Sequence, residues 1–257
     1  MSPSLAPFVV KIGGSTLGAE DTTLDDIVAL QRGGQPVVVV HGGGAMITEW
    51  LDRLQVPSEF VDGLRATSPA ALEVVIAVLR GVINTQLVAA LQQRGGRAVG
   101  LSGVDGGTVL AERYDARLGL VGRITGVDVT ALHALLAAGV TPVVAPIALE
   151  PPAQPLNVNA DTVAGELARA LHARGLVFLT DVDGLLDGSG ALLPQLDAIS
   201  AAALRADGTI GGGMIPKVEA GLRAAEHRTT THIVNGRAPG SLRRIAAGEA
   251  LGTRIDA

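Results

Sequence analysis

The segment Pro36-Val37-Val38-Val39-Val40-His41-Gly42-Gly43-Gly44 restricts this chain more than any other. Four consecutive valines leave no polar face, so the strand they form is buried on both sides, as in a parallel sheet covered by helices. The glycines open onto a helical pattern over residues 45–54. A strand that feeds a helix through a glycine turn is half of a βαβ unit. The same grammar occurs upstream, where the apolar run 8–12 ends in Gly13-Gly14 and residues 24–30 have helical spacing before Gly33-Gly34.

Further along, Asp62-Gly63 between two short apolar runs predicts a hairpin. A long helix follows over 69–93. Strands are expected at 97–101, 142–145, 176–180 and 230–234, and an antiparallel excursion at 109–125. Helices are expected at 129–138, from 161 to about 173, at 199–205, 216–226 and 242–247. No repeat or long linker interrupts the pattern. If there are two lobes, residues 1–175 form the first and 176–257 the second.

Composition removes several classes of function. The chain has no cysteine, which excludes disulfides, thiolate metal sites and cysteine catalysis. Aromatic residues are only 2%, so the core must be built from Val, Leu, Ile and Ala. The net charge of −5 argues against nucleic acid or an anionic membrane as partner. The first ten residues lack a signal-peptide pattern. The most apolar long stretch, residues 134–149, is too short for a membrane span and is interrupted by Gly139, Pro142 and Pro146. A cytoplasmic location is expected.

Of the 20 basic residues only two are lysines, Lys11 and Lys217. Where arginine replaces lysine almost everywhere, the lysines that remain mark places where a compact point charge matters. Lys11 lies inside the apolar strand 8–12, near the end that faces the ligand crevice of an α/β sheet. There it needs an anionic partner, although a lysine snorkelling at a strand edge would look the same. Lys217 follows Gly211-Gly212-Gly213-Met214-Ile215-Pro216, with Pro216 placed to start a helix. A lysine in that first turn opposes the helix dipole unless an anion offsets it; an ordinary surface lysine is the alternative.

Three other segments invite attention. The His41-Gly42-Gly43-Gly44 turn offers backbone N–H groups and a helix N-terminus to an anion, although an unliganded tight turn would look similar. It matches neither the dinucleotide fingerprint nor the Walker loop, and His41 itself reads as structural. Arg65 on the hairpin suits a carboxylate, against the alternative of a solvated loop arginine. Asn157-Val158-Asn159-Ala160-Asp161 precedes a helix, either as plain caps or as amides holding a ligand with an aspartate that orients the lysines.

VVKIGGS, VVHGGGA, DGLRAT, NVNAD, LTDVDGLL and GGGMIPKV, in that order from residue 9 to 218, resemble the amino-acid kinase superfamily, and within it the acetylglutamate kinases. The resemblance implies an open three-layer α/β/α sandwich around a central, mainly parallel sheet. It implies an N-terminal lobe for N-acetyl-L-glutamate and dimerisation, and a C-terminal lobe for ATP with Mg²⁺. Lys11 and Lys217 would act on the transferring phosphoryl, with Asp161 holding both. Gly43, Gly44, Arg65, Asn157 and Asn159 would bind the amino-acid substrate, with the Arg65 hairpin as a lid. Gly13, Gly14, Thr180, Asp181, Val182, Asp183, Gly184, Leu185, Gly211, Gly212, Gly213 and Met214 would line the nucleotide site. No protein metal ligand is expected, the ion being held by ATP phosphates and water.

Asp183 departs from the family pattern, where many relatives carry Pro or Ser. Only about seven residues precede the first strand, where arginine-inhibited relatives carry an extra helix, so an arginine-insensitive homodimer is expected, paired through the 69–93 helix. A sister kinase acting on a carrier-linked aminoadipate, or a silent amino-acid-binding subunit, are the competing readings.

Overall fold

The computed structural model describes residues 5–13, 22–61 and 63–256. In chain order the elements are β1 (Phe8–Ile12), α1 (Thr23–Arg32), β2 (Val37–His41), α2 (Gly44–Arg53), β3 (Glu59–Val61), β4 (Leu64–Ala66) and α3 (Pro69–Ile76). A π-helical segment (Ala77–Ile83) joins α3 to α4 (Asn84–Gln93). There follow β5 (Ala98–Ser102), β6 (Val109–Arg113), β7 (Gly122–Val127), α5 (Thr130–Ala137), β8 (Thr141–Ala145), β9 (Ile147–Glu150), β10 (Gln154–Asn157) and α6 (Ala160–Ala170). The remainder is β11 (Gly175–Thr180), β12 (Gln195–Leu196), α7 (Ala198–Ala206), α8 (Met214–Ala225), β13 (Thr230–Asn235), α9 (Ser241–Ala246) and β14 (Thr253–Ile255).

Eight strands form one sheet in the order β12-β14-β13-β11-β1-β2-β8-β5. Pairing is parallel from β5 through to β13; β14 runs antiparallel to β13, and β12 parallel to β14. β1 lies between β2 and β11, with Lys11 in register with Val40 on one side and Phe178 on the other. The strand order changes direction here, and the C-terminal ends of such strands open a ligand crevice.

Alternation along the strands sends side chains to two cores. Phe8, Val10 and Ile12 join Val37 and Val39 beneath α1, α4 and α9. Val9, Val38, Val40 and Phe178 pack on the other face against α6 and α8. A third cluster, including Ile47, Leu51, Val75, Val78 and Leu79, locks α2 onto α3 and the π segment. These are helices on both faces of a mainly parallel sheet, as expected, and the aliphatic composition fills them. The expected antiparallel excursion is a four-stranded sheet, β10-β9-β6-β7, in which β6 pairs β7 antiparallel.

Some expectations shift. Residues 134–149 fold as the end of α5 with β8 and β9. Among the described residues, the helix long and apolar enough to cross a membrane is instead Pro69–Gln93. Leu72, Val75, Val78, Leu79, Leu87 and Leu91 on it are buried in the core. The short strands β12 and β14 escaped the sequence pattern, because two or three residues carry no periodicity.

Candidate active site

Alternation decides where Lys11 goes. Val9 faces α6, so Lys11, two residues on, faces it too. The Asn159 side-chain oxygen accepts from the Asp161 and Thr162 N–H groups at 2.9 and 3.0 Å, capping α6. The cap sets Asp161 in the first turn, where a carboxylate is favoured. Lys11 Nζ lies 2.9 Å from Asp161 Oδ1, and Lys217 Nζ lies 3.0 Å from Oδ2. Lys217 is supplied by α8, which packs closely on α6: a Cβ on Gly165 would stand 2.8 Å from Ala220 Cβ.

One detail of Lys217 is corrected. α8 begins at Met214, so Pro216 is its third residue and Lys217 its fourth. The lysine turns back and donates to the Gly213 carbonyl at 3.0 Å. It is therefore tied both to Asp161 and to the glycine loop ahead of its helix.

The three side chains are 9%, 15% and 7% exposed. Two cations on one carboxylate leave an excess positive charge in a poorly hydrated place, where a further anion is stabilised.

Beside this triad opens a cavity of about 290 Å³. Lys11, Asp161, Gly43, Gly44, Arg65, Asn157 and Asn159 all line it, with Ile47, Leu64, Val121 and Val158 as apolar wall. The expected substrate-binding residues thus converge on one space. Gly43 is the N-cap of α2 and Gly44 its first residue, so their N–H groups have no acceptor within the helix.

Arg65 is buried, donating to Thr48 Oγ1 at 2.7 Å, to the Gly44 carbonyl at 3.2 Å, and to Ser58 Oγ. Its guanidinium stacks 4.6 Å from the Phe60 ring. Burial lowers its pKa, opposed by the charge of Asp52. Asn157 donates to Thr67 Oγ1 at 3.1 Å, and Thr67 Oγ1 donates to the Arg65 carbonyl at 2.8 Å. Thr67 thereby couples hairpin to helix entry. Thr48 and Thr67 were missed in the sequence, although Thr48 sits one turn beyond Gly44 on the same helix.

The residues expected at a nucleotide lie outside this cavity, at the C-terminal end of β11 and ahead of α8. Gly13 N–H donates to the Leu179 carbonyl at 3.3 Å, beside that end; Gly14 is outside the described residues. Thr180 Oγ1 accepts from the Val182 N–H at 3.0 Å, tightening the turn. Asp181, Val182 and Asp183 are exposed, and Asp183 accepts from Asn235 Nδ2 at 2.8 Å. Gly184 is buried, as is Leu185, whose N–H goes to Thr253 Oγ1. Gly211, Gly212 and Gly213 are exposed and Met214 is half-buried.

His41 does not line the cavity. Burial holds its pKa down at about 4, with the charges of Lys11 and Arg80 acting in the same direction and a hydrogen bond to Gly42 opposing. Its reading as structural rather than as a base agrees with this.

The sequence profile described as the Amino acid kinase family matches residues 6–235. An acetylglutamate kinase of Campylobacter curvus is 45% identical, over 96% of this chain and 90% of its own. One from Solibacter usitatus is 44% identical, over 96% and 98%. Among solved structures, that of smu.665 from Streptococcus mutans UA159 superimposes with a TM-score of 0.85 at 28% identity, covering 97% of this chain and 98% of that one. The chain belongs to the amino acid kinase family, in its acetylglutamate kinase branch.

Proposed function

We propose that this enzyme transfers the γ-phosphoryl group of ATP to the γ-carboxylate of N-acetyl-L-glutamate, forming N-acetyl-L-glutamyl 5-phosphate for arginine synthesis. The observation that carries the reading is Asp161 held between Lys11 and Lys217 at the wall of a cavity that also presents Arg65 and the Gly43-Gly44 turn.

The chemistry asks for little beyond placement and charge. The acceptor is already ionised, so no general base is required. A carboxylate oxygen forms the new bond to phosphorus as the bond to the ADP oxygen breaks. Lys11 and Lys217 stabilise charge on the phosphoryl oxygens, and Asp161 fixes the spacing of the two ammonium groups. The N–H groups of Gly43 and Gly44 hold the attacking carboxylate and the phosphoryl. Arg65 and Asn157 take the α-carboxylate, and Asn159 holds Asp161 through the cap. Residues 1–175 bind the amino acid, with the β3–β4 hairpin as a lid, and residues 176–257 bind ATP through 180–185 and 211–214.

Mg²⁺ bound to the nucleotide would neutralise phosphate charge. Among the described residues no group of three or more His, Asp or Glu side chains could cage it, and Asp161 and Asp183 are engaged elsewhere. In this reading the phosphates and water supply most of the ion's ligands. We further propose a cytoplasmic homodimer paired through the Pro69–Gln93 helix.

The test is ATP- and Mg²⁺-dependent acyl-phosphate formation, trapped with hydroxylamine, from N-acetyl-L-glutamate beside aspartate, glutamate and N-acetyl-aminoadipate. Strong preference for N-acetyl-L-glutamate is expected. No acyl phosphate from any of them would overturn the reading.

A further inference from the structure

His41 ends β2 on the opposite face of the sheet from Lys11. Val37 and Val39, which share its face, pack beneath α4, and the ring turns that way. Nε2 lies 3.1 Å from Asn84 Nδ2, and Nδ1 lies 3.1 Å from the Gly42 carbonyl. Asn84 Nδ2 also donates to the Val143 carbonyl at 2.8 Å, while its Oδ1 faces Arg80 Nη1 at 3.4 Å. Those contacts fix which way the Asn84 amide points. An amide nitrogen only donates, so Nε2 must accept, and the ring proton sits on Nδ1, donated to Gly42. His41 is 1% exposed and Asn84 0%. Every polar atom of such a pair needs its partner.

The consequence lies one peptide on. The Gly42 carbonyl and the Gly43 N–H belong to the same planar unit and, in a trans peptide, point in opposite directions. Holding the carbonyl toward His41, behind the sheet, aims the Gly43 N–H toward the cavity. The next residue is gripped as well: a Cβ on Gly43 would stand 2.5 Å from Ile83 Cδ1 and 2.7 Å from Leu79 Cδ2. Both belong to the π segment, which Asn84 directly follows. π turns recur at functional sites, and this one serves the glycine turn from behind at both points.

We propose that His41, held in its Nδ1-protonated tautomer by Asn84, is a positioning residue that sets the Gly42-Gly43 peptide plane and so aims the Gly43 N–H at the reacting group. The proposal rests on the reading above that this N–H binds the carboxylate or phosphoryl. Burial keeps the ring neutral, so one tautomer persists across the working range of pH.

The test uses the full chain and begins with the wild-type enzyme labelled with ¹⁵N-histidine. Long-range ¹H–¹⁵N spectra are expected to show His41 protonated on Nδ1 only, from pH 5.5 to 8.5. Protonation on Nε2, or on both nitrogens at pH 7, overturns the proposal.

Kinetics supply the second readout. His41→Asn keeps a donor near Nδ1; His41→Phe keeps the ring's bulk without one. His41→Phe is expected to lower kcat about 30- to 100-fold with both KM values within about threefold, and His41→Asn to stay within about fivefold of wild type. Wild-type kcat in His41→Phe, or equal losses in both variants, overturns the proposal. Should His41→Phe not fold, His41→Asn and the spectrum decide: a loss above about tenfold in His41→Asn overturns it. Absent turnover in the wild type removes the underlying reading and this proposal with it, whereas active wild type with unimpaired His41→Phe removes this proposal alone.

Discussion

Lys217 reaches Asp161 at 3.0 Å from a helix that begins more than fifty residues later in the chain, and it meets one carboxylate oxygen while Lys11 meets the other. A single aspartate therefore sets the distance between two ammonium groups. Lys217→Arg keeps the charge but replaces a point donor by a planar fork that cannot share the same carboxylate and carbonyl. We expect kcat to fall by about 100-fold or more, with the fold intact by circular dichroism. Wild-type turnover would take Lys217 out of the reaction.

Arg65 is held by Thr48, Ser58 and the Gly44 carbonyl before any substrate arrives. Under the proposed function its removal should act on binding of the amino acid. Arg65→Ala is expected to raise KM for N-acetyl-L-glutamate by about tenfold or more, leaving KM for ATP within about twofold. An effect confined to ATP would contradict the assignment of the lobes.

The paired glycines separate packing from chemistry. Gly43→Ala must displace Leu79 and Ile83, at a cost of about 1–3 kcal/mol in urea unfolding. At Gly44 a Cβ meets nothing within 4 Å, and alanine should leave stability unchanged or slightly raised. Gly44→Ala should nevertheless lower kcat/KM by about tenfold or more, because under the proposed function the methyl enters the space of the bound carboxylate. Unchanged kcat/KM would move the substrate away from Gly44.

Gly165 lets α6 lie close to α8, and its Cβ would sit 2.8 Å from that of Ala220. Gly165→Val forces the helices apart and with them Asp161 and Lys217. Loss of about 1–3 kcal/mol is expected together with a fall in kcat larger than any change in KM. Reduced stability with wild-type kcat would show that the Asp161–Lys217 spacing tolerates the shift.

Acid should expose the buried imidazole. The pKa of His41 is lowered from 6.5 to about 4, so between those values the unfolded chain binds the proton and the folded one does not. Stability from this group is complete above pH 6.5 and is lost as pH falls toward 4, by on the order of 3 kcal/mol. His232, also lowered by burial, acts in the same direction; Asp26, raised by burial, stabilises the acid form instead. Urea unfolding at pH 7, 5.5 and 4.5 should give a shallower pH slope in His41→Asn than in wild type. Parallel slopes would contradict the buried, neutral imidazole.

Much of this site could be read from residues alone, because its parts follow local rules. A two-residue hairpin turn at 62–63 implies Phe60 opposite Arg65, and the structure has that pairing, although Asp62 itself lies outside the described residues; the stacking of the two side chains does not follow from the turn. Asn159 caps because an amide before a helix caps. The contacts that escaped are those between distant elements: Thr67 joining Asn157 to the hairpin, and Asn84 behind His41. Nothing in the helical spacing of 69–93 announces a π turn, and only tertiary packing selects it over an unbroken α-helix. α8 begins two residues before Pro216, because proline, an apt first residue, is also tolerated at the third, where its absent N–H has no helical acceptor to lose.

The central position of β1 has a kinetic meaning. Phe8 pairs with Val37 early in the chain but also with Gly175, which leaves the ribosome far later. Parallel pairing over so long a separation must close a large loop before it gains any contact. Until β11 arrives, one edge of β1 stands unpaired, and Lys11 lies in an unfinished sheet. The Lys11–Asp161–Lys217 cluster can thus assemble only after most of the chain has been synthesised, and the unfinished β1 edge is where a nascent chain would most need a chaperone's protection.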